Sequence, residues 1–309
     1  MNEIHRITSS GAYEIPESLY HGQPCDGPSI SSTGIKRLAE NGAAEFFRTW
    51  SGNPNAEPEP PKAAFDIGRA AHIMALEPGR VANTIAVYPD EVLASNGAVS
   101  TKAAKEFEAK ARAEGRTPIK PGDWQMLNEM RSALERHPHA RRFLEAGRAE
   151  VSVFARRRDF WIKARPDFLP ERSGQYLVDL KTTTSLKDFY DNGIKKLRYD
   201  IQAALYLRAV HEATGIRPAG MLFFAQEKKP PYRVGLMALS VGPPGSTDIL
   251  RAAELDIHLA LEAFERGLET SHWPDPFDEP RELGVPGWLR GQIEKRLESE
   301  SNGTEFAYA

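Results

Sequence analysis

The sequence predicts an α/β fold: a central mixed β-sheet, built from an antiparallel meander plus further strands, flanked by helices and preceded by a helical N-terminal extension. Three observations carry this expectation. From Glu150 the apolar pattern changes from helical to alternating. Glu150-Val-Ser-Val-Phe-Ala155, Phe160-Trp-Ile-Lys-Ala-Arg-Pro-Asp-Phe-Leu169 and Tyr176-Leu-Val-Asp-Leu-Lys181 read as three successive strands joined by polar turns. A helix over 199–213, closed by Thr214-Gly215, then leads into two more strands at 220–225 and 232–239.

The elements before Glu150 are helical. Ser31-Ser-Thr33 caps a stripe formed by Ile35, Leu38, Ala39, Phe46 and Phe47, with a break near Asn41-Gly42. The proline-rich stretch from Asn53 to Pro61 is a stiff connector. Helices are predicted over 63–76, ended by Pro78-Gly79, and over 101–114 and 121–136, with a short strand near Thr84-Ile-Ala-Val-Tyr-Pro89. A last helix spans 247–267, capped by Ser246 or Thr247. The divisions are an N-terminal extension over 1–60, a main domain over 61–290 with a helical insertion at about 80–145, and a charged, mobile tail over 291–309.

Composition excludes several function classes. The chain of 309 residues is 40% hydrophobic and 27% charged, and it has no apolar run long enough to span a membrane. Its first residues lack the apolar core of a signal peptide, which points to the cytoplasm. One cysteine, Cys25, excludes an internal disulfide and a four-cysteine metal or iron–sulfur site within the chain. With a formal charge of -3, any nucleic-acid partner must be met by a local basic groove.

The chemistry concentrates on one strand. Alternation in Leu177-Val-Asp-Leu-Lys181 puts Val178 and Leu180 on one face and Asp179 and Lys181 side by side on the other. A carboxylate and an ammonium leaving an apolar strand together must pair or hold a metal. Asp167, between apolar neighbours on the preceding strand, supplies a second carboxylate, as a Mg²⁺-dependent phosphodiester-cleaving site requires. Asp-x-Lys alone is more often a solvated edge pair, so the order of the surrounding residues decides. His72 lies on the helix Phe65-Asp-Ile-Gly-Arg-Ala-Ala-His72, whose Gly68 and Ala71 allow close packing. Glu150 opens the meander, as a ligand or as a plain edge carboxylate. Gln202 and Tyr206, four apart, share a helix face that can reach the strand's end.

The ordered series Gly-Arg-x-x-His, Glu, Arg-Pro-Asp, Asp-x-Lys and Gln-x-x-x-Tyr resembles the PD-(D/E)xK nucleases, and within them the RecE (exodeoxyribonuclease VIII) branch. Leu19-Tyr-His21, Ser29 to Leu38, Gly68 to Pro78 and Val285-Pro-Gly-Trp-Leu289 resemble further segments of that branch. Asn41-Gly-Ala-Ala-Glu-Phe-Phe47 lacks a proline common there, and Asp179 stands where Glu is more usual. The resemblance implies a restriction-endonuclease-like core and Mg²⁺, replaceable by Mn²⁺. The ligands would be His72, Glu150, Asp167, Asp179 and the main-chain carbonyl of Leu180. Lys181 would act on the attacking water and the phosphate, and Gln202 would position it. Tyr206, Arg69, Arg165, Lys195, Lys196 and Arg198 would meet the DNA backbone, although an ion pair of Arg69 with Asp66 is an equal reading. The implied activity is 5′-to-3′ digestion from duplex ends, leaving 3′ single strands for a RecT-like annealing protein in phage-type recombination, by a ring-shaped oligomer. The rivals are an endonuclease or single-strand-specific enzyme of the same superfamily, and a non-catalytic DNA-binding protein that keeps the fold.

Overall fold

The structure is a computed structural model that describes residues 6–57, 63–280, 282, 284, 285 and 287–300. In chain order its elements are β1 (Gly11–Tyr13), α1 (Glu17–His21), β2 (Ser29–Ser31), α2 (Ser32–Asn41), α3 (Ala43–Thr49), α4 (Ala63–Leu76), α5 (Val81–Thr84) and β3 (Ile85–Val87). Next come α6 (Lys102–Ala113), β4 (Thr117–Ile119), α7 (Pro121–Arg136), β5 (Gly147–Ala149), β6 (Ser152–Arg156), β7 (Trp161–Ala164), β8 (Phe168–Pro170) and β9 (Tyr176–Thr183). The chain ends with α8 (Leu186–Asn192), α9 (Tyr199–Thr214), β10 (Gly220–Glu227), β11 (Val234–Ser240), α10 (Pro244–Thr270) and α11 (Gly287–Glu300).

The meander is bent and shared between two sheets. The expected single strand over 160–169 divides into β7 and β8, and its partner divides at the same level into β6 and β5. β6 and β7 pair antiparallel in a four-stranded sheet of order β1-β6-β7-β2. β5 and β8 pair antiparallel in a five-stranded sheet of order β11-β10-β9-β8-β5. The physical cause lies in two residues. Pro166 has no N–H to give a ladder, and Glu150 takes a left-handed backbone with φ 56°. Glu150 N–H donates to Asp167 O at 3.0 Å, which keeps the two chains together through the turn.

β9 runs parallel to β10, with Asp179 beside Phe223 and Lys181 beside Ala225, and the crossover between them is α9. Each face of this sheet has its own apolar cluster. Val178, Leu180, Phe168, Leu222 and Phe224 pack with Leu134 of α7. Leu177, Met221, Phe223 and Ala225 pack with α2, α9 and α10 through Ile35, Ile201, Leu205, Ile257 and Phe264. Fully burying such a side chain is worth roughly 1.5–3 kcal/mol, so a one-residue slip of β9 would cost several such terms. α4 packs with β3, β4 and α7 through Ala70, Ile73, Met74, Ile85, Ile119, Leu127 and Met130. The second face of the four-stranded sheet carries Phe154 and Trp161, covered by Ile7, Tyr20 and Cys25.

α4, α7 and α9 have nearly the bounds read from the sequence. α10 begins three residues before the expected Thr247, because Pro244 is tolerated in a first helical turn. The Thr247 hydroxyl instead accepts from Gly242 N–H. α11 continues to Glu300, into the stretch read as a charged tail, and residues 301–309 lie outside the described ones. So do Met1–His5 and residues 58–62 of the proline-rich connector. Among the described residues no helix is long and apolar enough to cross a membrane.

Candidate active site at the bend between the sheets

The bend places the chemistry. Glu150 and Asp167 sit where the paired chains leave one sheet for the other, β9 brings Asp179 and Lys181 alongside, and α4 lays His72 across the opening. His72 Nδ1 is 3.3 Å from Asp167 Oδ1 and 3.9 Å from Glu150 Oε1. One ligand atom from each of His72, Glu150 and Asp167 can be chosen so that all lie within 4.8 Å of one another. Asp167 Oδ2 accepts the Leu180 N–H at 2.5 Å, so Leu180 meets the site through its amide nitrogen. Asp179 Oδ1 accepts from Gln202 Nε2 at 2.8 Å, and its Oδ2 touches Lys181 Nζ. That Oδ2 is fully buried and has no well-directed hydrogen bond.

Gly68, one turn earlier on the same face of α4, was expected to serve close packing. A Cβ there would meet nothing within 4 Å, whereas Ala71 is buried.

Electrostatics follow from this crowding. Burial pushes the Asp167 carboxyl up, but the neighbouring His72 and Lys181 charges and the Leu180 N–H outweigh it and hold it below its ordinary value. For Asp179 burial dominates, Asp167 adds to it, and the carboxyl is raised in spite of Lys181. Burial disfavours the charged forms of Lys181 and His72, yet the surrounding carboxylates raise both, His72 to about 10. A histidine raised from its unfolded value contributes stability that is fully present below about 6.5 and lost as pH climbs through about 10. Metal-free wild type should therefore lose its stability margin over His72→Gln, a few kcal/mol at most, between pH 6.5 and 10 in denaturant titrations. A margin independent of pH would show that His72 is not held as a cation.

The donor set suits a divalent cation. Two carboxylates and an imidazole converge from the bend and α4, and Asp179 stands alongside on β9 with its Oδ2 buried against the Lys181 ammonium. The carboxylate of Asp179 is turned to Lys181 and Gln202 rather than into the His72–Glu150–Asp167 cluster.

The residues expected at the DNA backbone separate into two sets. Lys195 and Lys196 are exposed, and Arg69 is about half exposed and pairs with Glu17 at 3.1 Å, while Asp66 pairs with Arg112. The expectation gives way for Arg165, Arg198 and Tyr206. Arg165 is 10% exposed, donates to Glu150 Oε2 at 2.9 Å, Ser152 Oγ and the Ile15 carbonyl, and so fixes the strained glutamate. Arg198 is spent on Asp200 and Asp256 at the start of α9. Tyr206 is buried beside Tyr20 and Ser32, and burial raises its hydroxyl pKa. Trp161 is buried in an apolar cluster, and Trp50 and Trp124 are partly buried against two others.

Sequence reading missed two members of the site. Tyr199 lies with its ring 5.6 Å from Lys181 Nζ, and Lys36 of α2 stands 5.2 Å from the same ring. The available signal was Ser32 and Lys36, four apart behind the Ser31-Ser-Thr33 cap and hence on one helix face.

The sequence signature of the "PDDEXK-like domain of unknown function (DUF3799)" matches residues 31–279. The chain belongs to this PDDEXK-like family. The solved structure of a "putative exonuclease" from Eubacterium rectale resembles the PDDEXK-like chain with a TM-score of 0.60 at 14% identity, covering 91% of this chain and 98% of that one. An alkaline exonuclease from Laribacter hongkongensis aligns at 16% identity with a TM-score of 0.23, covering 56% of this chain and 89% of its own. No curated protein matches by sequence. The match begins at Ser31, the last residue of β2, while β1, the other edge strand of the four-stranded sheet, lies before it.

Arg165→Met separates a brace from a DNA contact. Without the guanidinium, Glu150 keeps its strained backbone but loses its ion pair. Affinity for Mn²⁺, read by thermal shift, should fall about 10- to 100-fold, as for other groups that orient a metal ligand. Binding of duplex DNA in chelator should be unchanged, and a loss there would return Arg165 to the DNA interface.

Proposed function

We propose that the protein is a divalent-metal-dependent DNA exonuclease, using Mg²⁺ or Mn²⁺. The observation that carries this is the convergence of His72, Glu150 and Asp167 at the bend, beside an Asp179 carboxylate in contact with Lys181. A bound cation would supply a nucleophilic hydroxide near neutral pH and offset the charge gained by the phosphate. His72, Glu150, Asp167 and Asp179 would hold it, with the Leu180 carbonyl as a further oxygen. Lys181, held on β9 beside Asp179 Oδ2, would orient the attacking water and pair with a non-bridging phosphate oxygen. Gln202 would keep Asp179 aimed through its hydrogen bond to Oδ1.

Resemblance to the RecE branch supports the finer features: digestion from duplex ends with 5′-to-3′ polarity, a ring-shaped homo-oligomer, and delivery of 3′ single strands to a RecT-like annealing protein in recombination. The test is incubation of linear duplexes labelled at either end, and of covalently closed circles, with Mg²⁺ or with chelator. The expected result is loss of the 5′ label first, survival of the circle, and no cutting in chelator. Attack on the circle would favour an endonuclease, and earlier loss of the 3′ label would reverse the polarity. Intact linear DNA in both Mg²⁺ and Mn²⁺ would overturn the nuclease reading.

A further inference from the structure

Lys36 is a half-buried cation whose ammonium makes no contact ion pair with any described residue, the Asp179, Asp200 and Glu40 carboxylates acting on it from farther off. Its Nζ donates to the Leu197 carbonyl at 2.7 Å and lies against the Tyr199 ring. Lys181 lies against the same ring, so the two ammonium groups share one aromatic side chain. That ring is not free to drift: it stacks on Phe223 at 5.1 Å and meets Phe189 at 5.1 Å, both buried residues of the main core. Lys181 touches the Asp179 carboxylate, whereas the groups in direct contact with the Lys36 ammonium are a carbonyl dipole and a π face. A lysine held this way is disfavoured by desolvation and by its like-charged neighbour, and its pKa falls to about 8 in consequence. Three N–H donors are available on the ammonium, and one is used by Leu197.

An ammonium with no carboxylate in contact and N–H donors to spare can take an anion beside Lys181. We propose that Lys36 binds a phosphate of the cleaved strand adjacent to the one Lys181 meets, so that the pair sets the path of the DNA backbone across Tyr199. This rests on the nuclease reading above. Lys36 would act in substrate binding: the contact forms in the ground state as well as the transition state, and its loss should fall on KM.

The experiment compares wild type, Lys36→Met and Lys36→Arg on linear duplex DNA at a series of salt concentrations, with binding measured in Ca²⁺ and cleavage in Mg²⁺. For Lys36→Met, KM should rise about tenfold with kcat changed less than threefold, and the slope of log affinity against log salt should become shallower by about 1. Lys36→Arg should restore both, since it keeps the charge. An unchanged salt slope in Lys36→Met overturns the inference whatever happens to activity. So does an Arg variant as impaired as the Met variant with a lowered melting temperature, which would mark Lys36 as packing. If wild type binds duplex and the Met variant loses one phosphate contact while nothing is cut, Lys36 keeps its role and the nuclease reading fails. A wild type that neither binds nor cuts DNA overturns both.

Discussion

Lys181→Met should lower kcat for DNA cleavage about a thousandfold while leaving KM within a few-fold of wild type. The size follows from what a fixed charge or proton-transfer group contributes when aimed at a developing charge, roughly 10²–10⁴ in rate. The side chain is positioned for this by β9, by the Tyr199 ring and by contact with Asp179. Methionine keeps most of its length and fills the same channel, so the fold should survive. The variant should also need a higher pH for full metal occupancy. Lys181 lowers the pKa of both Asp167 and Asp179, and its removal leaves two buried carboxylates that cannot both ionise cheaply. A kcat within tenfold of wild type, measured in single-turnover digestion, would remove Lys181 from the chemistry.

Asp179→Asn should be as damaging and for a separable reason. The amide keeps the oxygen that Gln202 Nε2 donates to, but it presents an N–H₂ or a neutral oxygen where Lys181 Nζ now finds Oδ2. It also removes the charge that a hard cation requires. Cleavage should fall by at least about a thousandfold. The more direct readout is stability. A cation at 100 times its Kd adds about 2.7 kcal/mol to wild type. The variant should show a much smaller gain in melting temperature on adding Mg²⁺ or Mn²⁺. Full metal-induced stabilisation in D179N would show that Asp179 is not a ligand and that the cluster of His72, Glu150 and Asp167 binds alone.

The strand that carries Asp179 and Lys181 was legible because its alternation is strict and its two faces meet different environments. Leu177 lies in the cluster beneath α9, and Val178 and Leu180 in the cluster beside α7. α4, α7 and α9 were legible from helical stripes bounded by Pro, Gly or a polar cap. The bend at Glu150 was not. A left-handed glutamate breaks the usual link between residue type and backbone, and the alternation of 160–169 continues straight through it. β1, β2, β4 and β5 are three residues long, too short for any period to show. The role of Arg165 escaped for a different reason. Arg-Pro-Asp marks the strand, but only the turn at Glu150 brings the guanidinium back onto a carboxylate fifteen positions earlier. Basic residues in a sequence look alike, and burial distinguishes a brace such as Arg165 or Arg198 from exposed Lys195 and Lys196.

Placing Glu150 and Asp167 at the seam makes the site a report on whether folding has finished. One sheet takes its two edge strands from residues 11–13 and 29–31, and the other takes its far edge from 234–240. The seam exists only after both are assembled, and Arg165 finds its acceptor at Ile15 only when the first residues have docked. A nascent or half-unfolded chain thus has the residues of a nuclease scattered along it without a place to gather a cation. The place where a cation could be held is tied to the pairing of strands that lie far apart in the chain.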